Sequence, residues 1–393
     1  MTEAKRPVRI GLLWHSVNSG NLGVGALTAS NLAILRTEAE ACGLEPHFTV
    51  LGFRDAEPAY IGGSDVEMLA IDTRSLASPR GYWSELSALD CVFDIGGGDS
   101  WADIYGAKRF GFLWLAKMLV YARGVPLVFS PQTIGPFTRQ PFTAMAKAAM
   151  RRAAAIVVRD PLSREVAAAM VPGARIVESV DVAFALPYEK RQHHADGLIH
   201  VGINVSGLLL NRGYGGDNAF GLEADYAALM RGLIQALAAR SDVRVELFAH
   251  VNSPGLESDD DLRACRQLVG EFPGAARIAE FASPSAAKSY ISGLDFVVAG
   301  RMHACIAAYS SGVPVVPIAY SRKFSGLFEG VLGYGHSVPV RGLSTEAALS
   351  HILDALDRRT VLASEIAEGN LRVEAALDRY RAEIHRLFES LPL

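Results

Sequence analysis

Arginine and histidine stand two residues apart at Arg301 and His303, directly after an apolar run that stops at Gly300. Residues 296–299 read as a buried strand, and 304–311 as a helix of small side chains. A second apolar run at 313–319 leads into Ser321, Arg322 and Lys323. This spacing predicts a strand–helix–strand unit with cations at strand C-termini and helix N-termini, where open α/β sheets bind ligands. A helix start offers N–H groups to an anion, but its own positive end disfavours cations unless an anion lies between them. Arg301 and His303 therefore point to a phosphate or a carboxylate. Lys323 and Arg212, the latter in a glycine-rich loop running to Gly216, are candidates for further positive charge. For Arg212 the plainer alternative is a solvated loop residue.

Other strand ends carry polar groups. Asn18 and Asn21 lie in the turn NSGNLG, whose glycines let backbone N–H groups approach a ligand, or whose asparagines cap a helix. No GxGxxG spacing occurs there, which disfavours a dinucleotide. In DIGGGDS the three glycines predict room against the backbone, and Asp99 is a candidate base or sugar-hydroxyl acceptor, or a helix cap. Gln132 and Thr133 in PQTIGP offer hydrogen bonds, or form a rigid turn. Arg159 faces a ligand or makes a structural ion pair, and Asp160 caps the helix that Pro161 starts. His15 and His250 follow strands and are ligand-facing or core histidines.

These positions require elements that end at one sheet edge. Strands are predicted at residues 8–14, 47–52, 66–71, 90–95, 126–130 and 155–158, with helices at 24–42, 106–123 and 141–153 between them. The polar, aperiodic stretch 187–197 reads as a linker. The pattern restarts with strands at 198–205, 243–249, 276–278 and 296–299, and helices at 223–240, 256–270 and 284–292. Two amphipathic helices finish the chain from Ser344. The expectation is an α/β fold of two doubly wound Rossmann-like domains, residues 1–190 and 198–360, facing a ligand cleft as in the glycosyltransferase-B architecture. The tail, 361–393, could pack on the first domain, serve a dimer or lie on a membrane.

Of 393 residues, half are hydrophobic and a fifth charged, as in a well-packed enzyme of two domains. A net charge of -4 gives no global pull toward nucleic acid. The four dispersed cysteines make no CxxC and no metal-ligand spacing, so free thiols in a reducing cytoplasm are expected. No signal-like segment and no apolar run near membrane-spanning length occur, though peripheral attachment at the inner face of a membrane is compatible with the sequence.

Over residues 8–335 the chain resembles the polysaccharide pyruvyl transferase family. The resemblance rests on NSGNLG, DIGGGDS, PQTIGPF, VVRDPLSRE, DVAFAL, VGINVSG and above all GRMHACIAAYSSGVPVVPIAYSRKFSGLFEGVLG, in that order. The family's first turn commonly reads Asn-x-Gly-Asp. Here Val24 stands in place of that Asp, so no acidic role carries over. The resemblance implies transfer of a pyruvyl group from phosphoenolpyruvate to two hydroxyls of a saccharide, free or lipid-linked, giving a cyclic ketal and phosphate. It implies the donor near Arg301 and His303. The charge of that donor in turn suggests His303 as general acid or phosphate clamp, Arg301 as a bidentate anion ligand, and Arg212 and Lys323 as assisting cations. Asn18, Asn21, Asp99 and Gln132 would face the acceptor from the first domain. No metal or cofactor beyond the co-substrate is needed. Two alternatives stand beside this: a nucleotide-sugar glycosyltransferase using Glu329 for the ribose, and a non-catalytic sugar-binding subunit.

Overall fold

The computed structural model describes residues 5–53, 55 and 57–392; the ends of the ranges 1–190 and 361–393 lie outside the described residues. The chain forms two compact units. The first holds a seven-stranded parallel sheet: β1 (Arg6–Leu13), β2 (Leu44–Gly52), β3 (Val66–Ala70), β4 (Cys91–Asp94), β5 (Leu127–Gln132), β6 (Ala155–Val158) and β7 (Ile176–Glu178). Their order is β3-β2-β1-β4-β5-β6-β7. The second holds five parallel strands: β8 (Ile199–Asn204), β9 (Val243–Phe248), β10 (Ala276–Ala279), β11 (Phe296–Ala299) and β12 (Val315–Pro317), in the order β10-β9-β8-β11-β12. Each sheet reverses winding direction once, between β1 and β4 and between β8 and β11. Those reversals are where doubly wound sheets bind ligands.

The central strands β4, β5, β6 and β11 are buried at every residue. Helices cover both faces of such a strand, so it reads as a continuous apolar run without alternation. β7 went unpredicted because its three residues are half-buried at the sheet edge and form no such run. Helix starts follow local chemistry. Asp160 accepts from Ser163 N at 2.8 Å ahead of Pro161, and Ser283 caps the helix that begins at Pro284.

Chain order and unit membership differ at two places. Residues Gly20–Ala26 belong with the second unit, and the stretch from Glu374 onward belongs with the first. The last helix, Arg359–Ser390, thus contributes its C-terminal part to the first unit. There Tyr380 donates to Asn31 Oδ1 at 2.7 Å and lies 3.0 Å from Ser130 Oγ, Glu383 pairs with Arg175, and Ser179 Oγ donates to Ala376 O. All four cysteines are free thiols, three of them buried. Among the described residues no helix is long and apolar enough to cross a membrane.

Candidate active site

Arg301 is the N-cap residue of the helix Met302–Ser310, which starts without a side-chain cap at the winding reversal of the second sheet. Its backbone is fixed by the neighbouring strand end: Asn204 Oδ1 accepts from Arg301 N at 2.9 Å. Its guanidinium turns to two carboxylates. Nη2 donates to Asp259 Oδ1 at 2.6 Å and to Asp261 Oδ1 at 2.7 Å, and Nε reaches Asp261 Oδ1 at 3.1 Å. Burial works to lower the Arg301 pKa, but Asp261 and Asp259 hold it above its ordinary value. Arg301, expected to bind a ligand anion, thus has two carboxylate partners within the protein. The anion that makes a cation tolerable at this helix start is the protein's own, and one positive charge faces two negative ones.

Asp261 is fully buried and draws this region together. Besides Arg301 it accepts from Gly207 N at 2.9 Å, from His250 N and Val251 N at 3.1 Å each, and from Asn204 Nδ2 at 3.4 Å. It thus ties the ends of β8, β9 and β11 to one side chain. Asp259 and Asp261 carry no distinctive signal in the sequence, since acids at the start of a helix are ordinary.

His303 lies in the first turn of the same helix, half-buried. A Cβ added at Gly23 would run into its imidazole. Gly23 is brought there by backbone bonds within the second unit: Leu22 N donates to His250 O at 3.0 Å, Asn252 N to Gly20 O at 2.8 Å, and Asn21 bridges Val251. The NSGNLG turn therefore serves His303, and the glycine matters for close approach. Asn21 Oδ1 accepts from Gly23 N at 2.9 Å, which shapes the turn. It stands on the same unit as the donor candidates, whereas the first-domain side was expected. His250 is buried; burial first, then the charges of His303 and Arg301, push its pKa down to about 3. It is a neutral imidazole beside His303.

Arg212 is exposed, just after the short helix Gly207–Leu210 that follows β8, with left-handed backbone at φ 58°. Asn211 anchors this loop by donating to Gly207 O and Ser258 O. Lys323 is exposed in the helix Arg322–Ser325 that follows β12. Arg212, Arg301, His303 and Lys323 all leave the C-terminal edge of one sheet. Glu329 is exposed in the segment Gly326–Val331.

In the first unit, three expectations are corrected. Gln132 is fully buried and donates to Asp94 O at 2.7 Å, bracing β5 against β4, so it faces no acceptor. Asn18 is buried and donates to Asp55 O and Glu57 O, strapping a loop. The glycines of DIGGGDS leave little room, since a Cβ at Gly96 would meet Gln132 Oε1 at 2.6 Å and one at Gly98 would meet Leu27 at 2.8 Å. All three have positive φ (53°, 60° and 93°), which is the requirement they meet. Asp99 follows them half-buried and accepts from Tyr105 Oη at 2.9 Å. Arg159 makes a structural ion pair with Asp181 at 2.6 Å. His15 Nδ1 donates to Leu13 O while Nε2 accepts from Asn31, and burial pushes its pKa down to about 3. It is a satisfied core histidine.

Two further groups were invisible in the sequence. Lys117 and Asp94 form a fully buried pair at 3.0 Å, with Lys117 Nζ 4.2 Å from the Trp101 ring centroid. Burial raises the carboxyl's pKa and lowers the ammonium's, while each partner's charge opposes that shift. His194, His200 and Glu246 place ligand atoms within 4.8 Å of one another. The His200 nitrogens already face Glu246 at 2.7 Å and Asp196 at 3.1 Å, and its ring stacks on His194.

A model of the polysaccharide pyruvyl transferase family matches residues 34–322. No curated protein matches the chain. Among solved structures it is similar to a UDP-N-acetylglucosamine 2-epimerase from Listeria monocytogenes, described there as putative, at TM-score 0.59 and 13% identity over 97% of both chains. It is similar to a sucrose-phosphate synthase from Thermosynechococcus elongatus at TM-score 0.57 and 13% identity over 98% of both. A spinosyn rhamnosyltransferase complexed with thymidine diphosphate gives 0.55 and 12%, over 98% of this chain and all of that one. At such identities the likeness speaks for the fold, two doubly wound sheets of the glycosyltransferase-B kind.

Proposed function

The chain belongs to the polysaccharide pyruvyl transferase family, and on that footing we propose that it moves a pyruvyl group from phosphoenolpyruvate to a pair of saccharide hydroxyls, forming a cyclic ketal and releasing phosphate. The observation that carries this reading is the uncapped helix start at Met302–Ser310, with His303 seated against Gly23 at the reversal of the second sheet. Helix N–H groups suit an anionic donor. Because Asp259 and Asp261 offset Arg301, its charge is not free to neutralise the donor. Arg301 is the strut that holds the helix start against β8 and β9, and the donor's charge falls to the helix N–H groups, His303, Arg212 and Lys323.

The reaction needs a proton at the methylene carbon of the enol, which His303 supplies. The adjacent carbon then accepts one sugar hydroxyl, whose proton passes to a base. A second hydroxyl attacks the same carbon as phosphate departs, and its proton leaves with the phosphate or to that base. Asp99 is the carboxylate we assign to the acceptor side. General acids of this kind contribute about 100-fold or more, so His303→Ala should lower turnover by at least that factor. Near-normal turnover would remove His303 from the role.

Nucleotide-sugar transfer is the second reading, favoured by the neighbour solved with thymidine diphosphate and by exposed Glu329. A thermal shift with phosphoenolpyruvate, UDP-sugars and phosphate in parallel separates the two. A ligand at 100 times its dissociation constant stabilises by about 2.7 kcal/mol. Stabilisation by phosphoenolpyruvate that is weakened in Arg212→Ala and His303→Ala is the expected result. A response to a UDP-sugar alone would retire the pyruvyl mechanism.

A further inference from the structure

At the C-terminal edge of β1 and β4 the first unit carries a cluster that the donor chemistry leaves unused. Phe53 is 40% exposed, with its ring centroid 4.8 Å from that of buried Trp14 and 6.0 Å from Phe112. Tyr105 is 42% exposed and its hydroxyl donates a hydrogen bond to Asp99. The exposed Arg109 guanidinium lies 5.8 Å from the Phe53 ring and 5.7 Å from the Tyr105 ring, and donates to Ser100 Oγ at 2.8 Å. No carboxylate among the described residues pairs with Arg109. Trp14, beneath Phe53, has φ 59°, a left-handed backbone that a bulky residue adopts only where its surroundings impose it.

This combination has a chemical meaning. Two large aromatic rings kept partly in water bury apolar area only when something covers them. A pyranose has an apolar C–H face that suits a ring and a rim of hydroxyls that suits Asp99 and Ser100. An arginine without a carboxylate partner, seated between the rings, suits a carboxylate or phosphate on the same molecule.

We propose that Phe53, Tyr105, Arg109 and Asp99 form the acceptor subsite, and that it takes a saccharide bearing an anionic group, with the sugar ring on the aromatic faces and the anion on Arg109. The inference rests on the reading of the chain as acting on a saccharide, but it concerns binding and is tested without turnover. Of these four residues only Asp99 stands in a sequence motif. Phe53 and Arg109 come from different segments and carry no motif.

Saturation-transfer NMR on the full chain with methyl glucuronide, glucose 1-phosphate and methyl glucoside provides the test. Binding of one or both anionic probes at least tenfold tighter than the neutral one is expected, and which of them binds identifies carboxylate or phosphate. Phe53→Ala and Tyr105→Ala should abolish the signal, Tyr105→Phe should retain it weakened, and Arg109→Gln should erase the preference for the anion. Unchanged thermal midpoints in these surface variants would tie the losses to binding. Equal binding of all three probes, binding indifferent to the four variants, or no binding at all would each overturn the subsite. If saccharides fail while phosphoenolpyruvate still stabilises the protein, the subsite falls and the pyruvyl reading stands. If saccharides bind as expected and phosphoenolpyruvate does not, the reverse holds.

Discussion

A single methyl group tests the geometry around His303. Gly23→Ala puts a better helix former at the start of the helix Leu22–Ala41, so the backbone has no reason to change. Its Cβ would occupy the space of the imidazole and displace it. A misplacement of about 1 Å can cost 100-fold in rate, and turnover in Gly23→Ala is expected to fall by about that much with the thermal midpoint nearly unchanged. Wild-type turnover in that variant would detach the NSGNLG turn from the chemistry. Arg301 teaches a related lesson. The dipole argument rightly demanded an anion at the helix start, but it could not say whose anion. Asp259 and Asp261 arrive from a segment 40 residues away in the chain, and the run of acids there looks like any helix start.

Among the elements, the last helix is the one whose placement depends most on single polar contacts. Tyr380 is fully buried, its hydroxyl bonded to Asn31 and Ser130, and Asn31 also donates to His15. Tyr380→Phe removes one hydroxyl and leaves Asn31 Oδ1 short of a donor in an apolar setting. Losing a partner for a buried polar group costs about 1–3 kcal/mol, and urea unfolding of the variant is expected to show a loss in that range. No measurable loss would mean that the helix is held by its apolar face alone. Nothing in its amphipathic pattern selects a partner, which is why the dimer, membrane and first-domain options were equal in the sequence. The Glu383–Arg175 pair and the Ser179 hydroxyl select the first unit.

For the molecule as a whole, two buried histidines set an acid limit. His15 in the first unit and His250 in the second both have pKa values lowered from 6.5 to about 3, chiefly by burial. An unfolded chain takes up protons at these side chains below about pH 6.5 while the native state does not. Stability from this source is therefore complete above about pH 6.5 and drains away as pH falls toward 3. Each histidine accounts for about 1.4 kcal/mol per pH unit, so the two together give a slope of about 3 kcal/mol per unit. Urea unfolding at pH 7.5 and 5.5 should show this fall, and His15→Gln should flatten the part that belongs to the first unit. A pH-independent stability across this range would contradict the neutral assignment of both.

The sequence by itself determined the two parallel sheets and the strand ends at which polar residues gather. Strands covered on both faces are mostly apolar, and Gly and Pro punctuate them, so both signals are local. It also singled out Arg301 and His303, because cations at a helix start defy the dipole and stand out. Only the tertiary structure decided what those strand ends do. It turned Gln132, Asn18 and Arg159 inward as braces, gave Arg301 its carboxylates, carried Gly20–Ala26 into the second unit, and set Phe53 beside Tyr105 and Arg109. Each of these is a pairing between residues far apart in the chain. Periodicity reports a residue's own surroundings along one element, whereas a hydrogen bond or an ion pair depends on which other element the fold brings within about 3 Å.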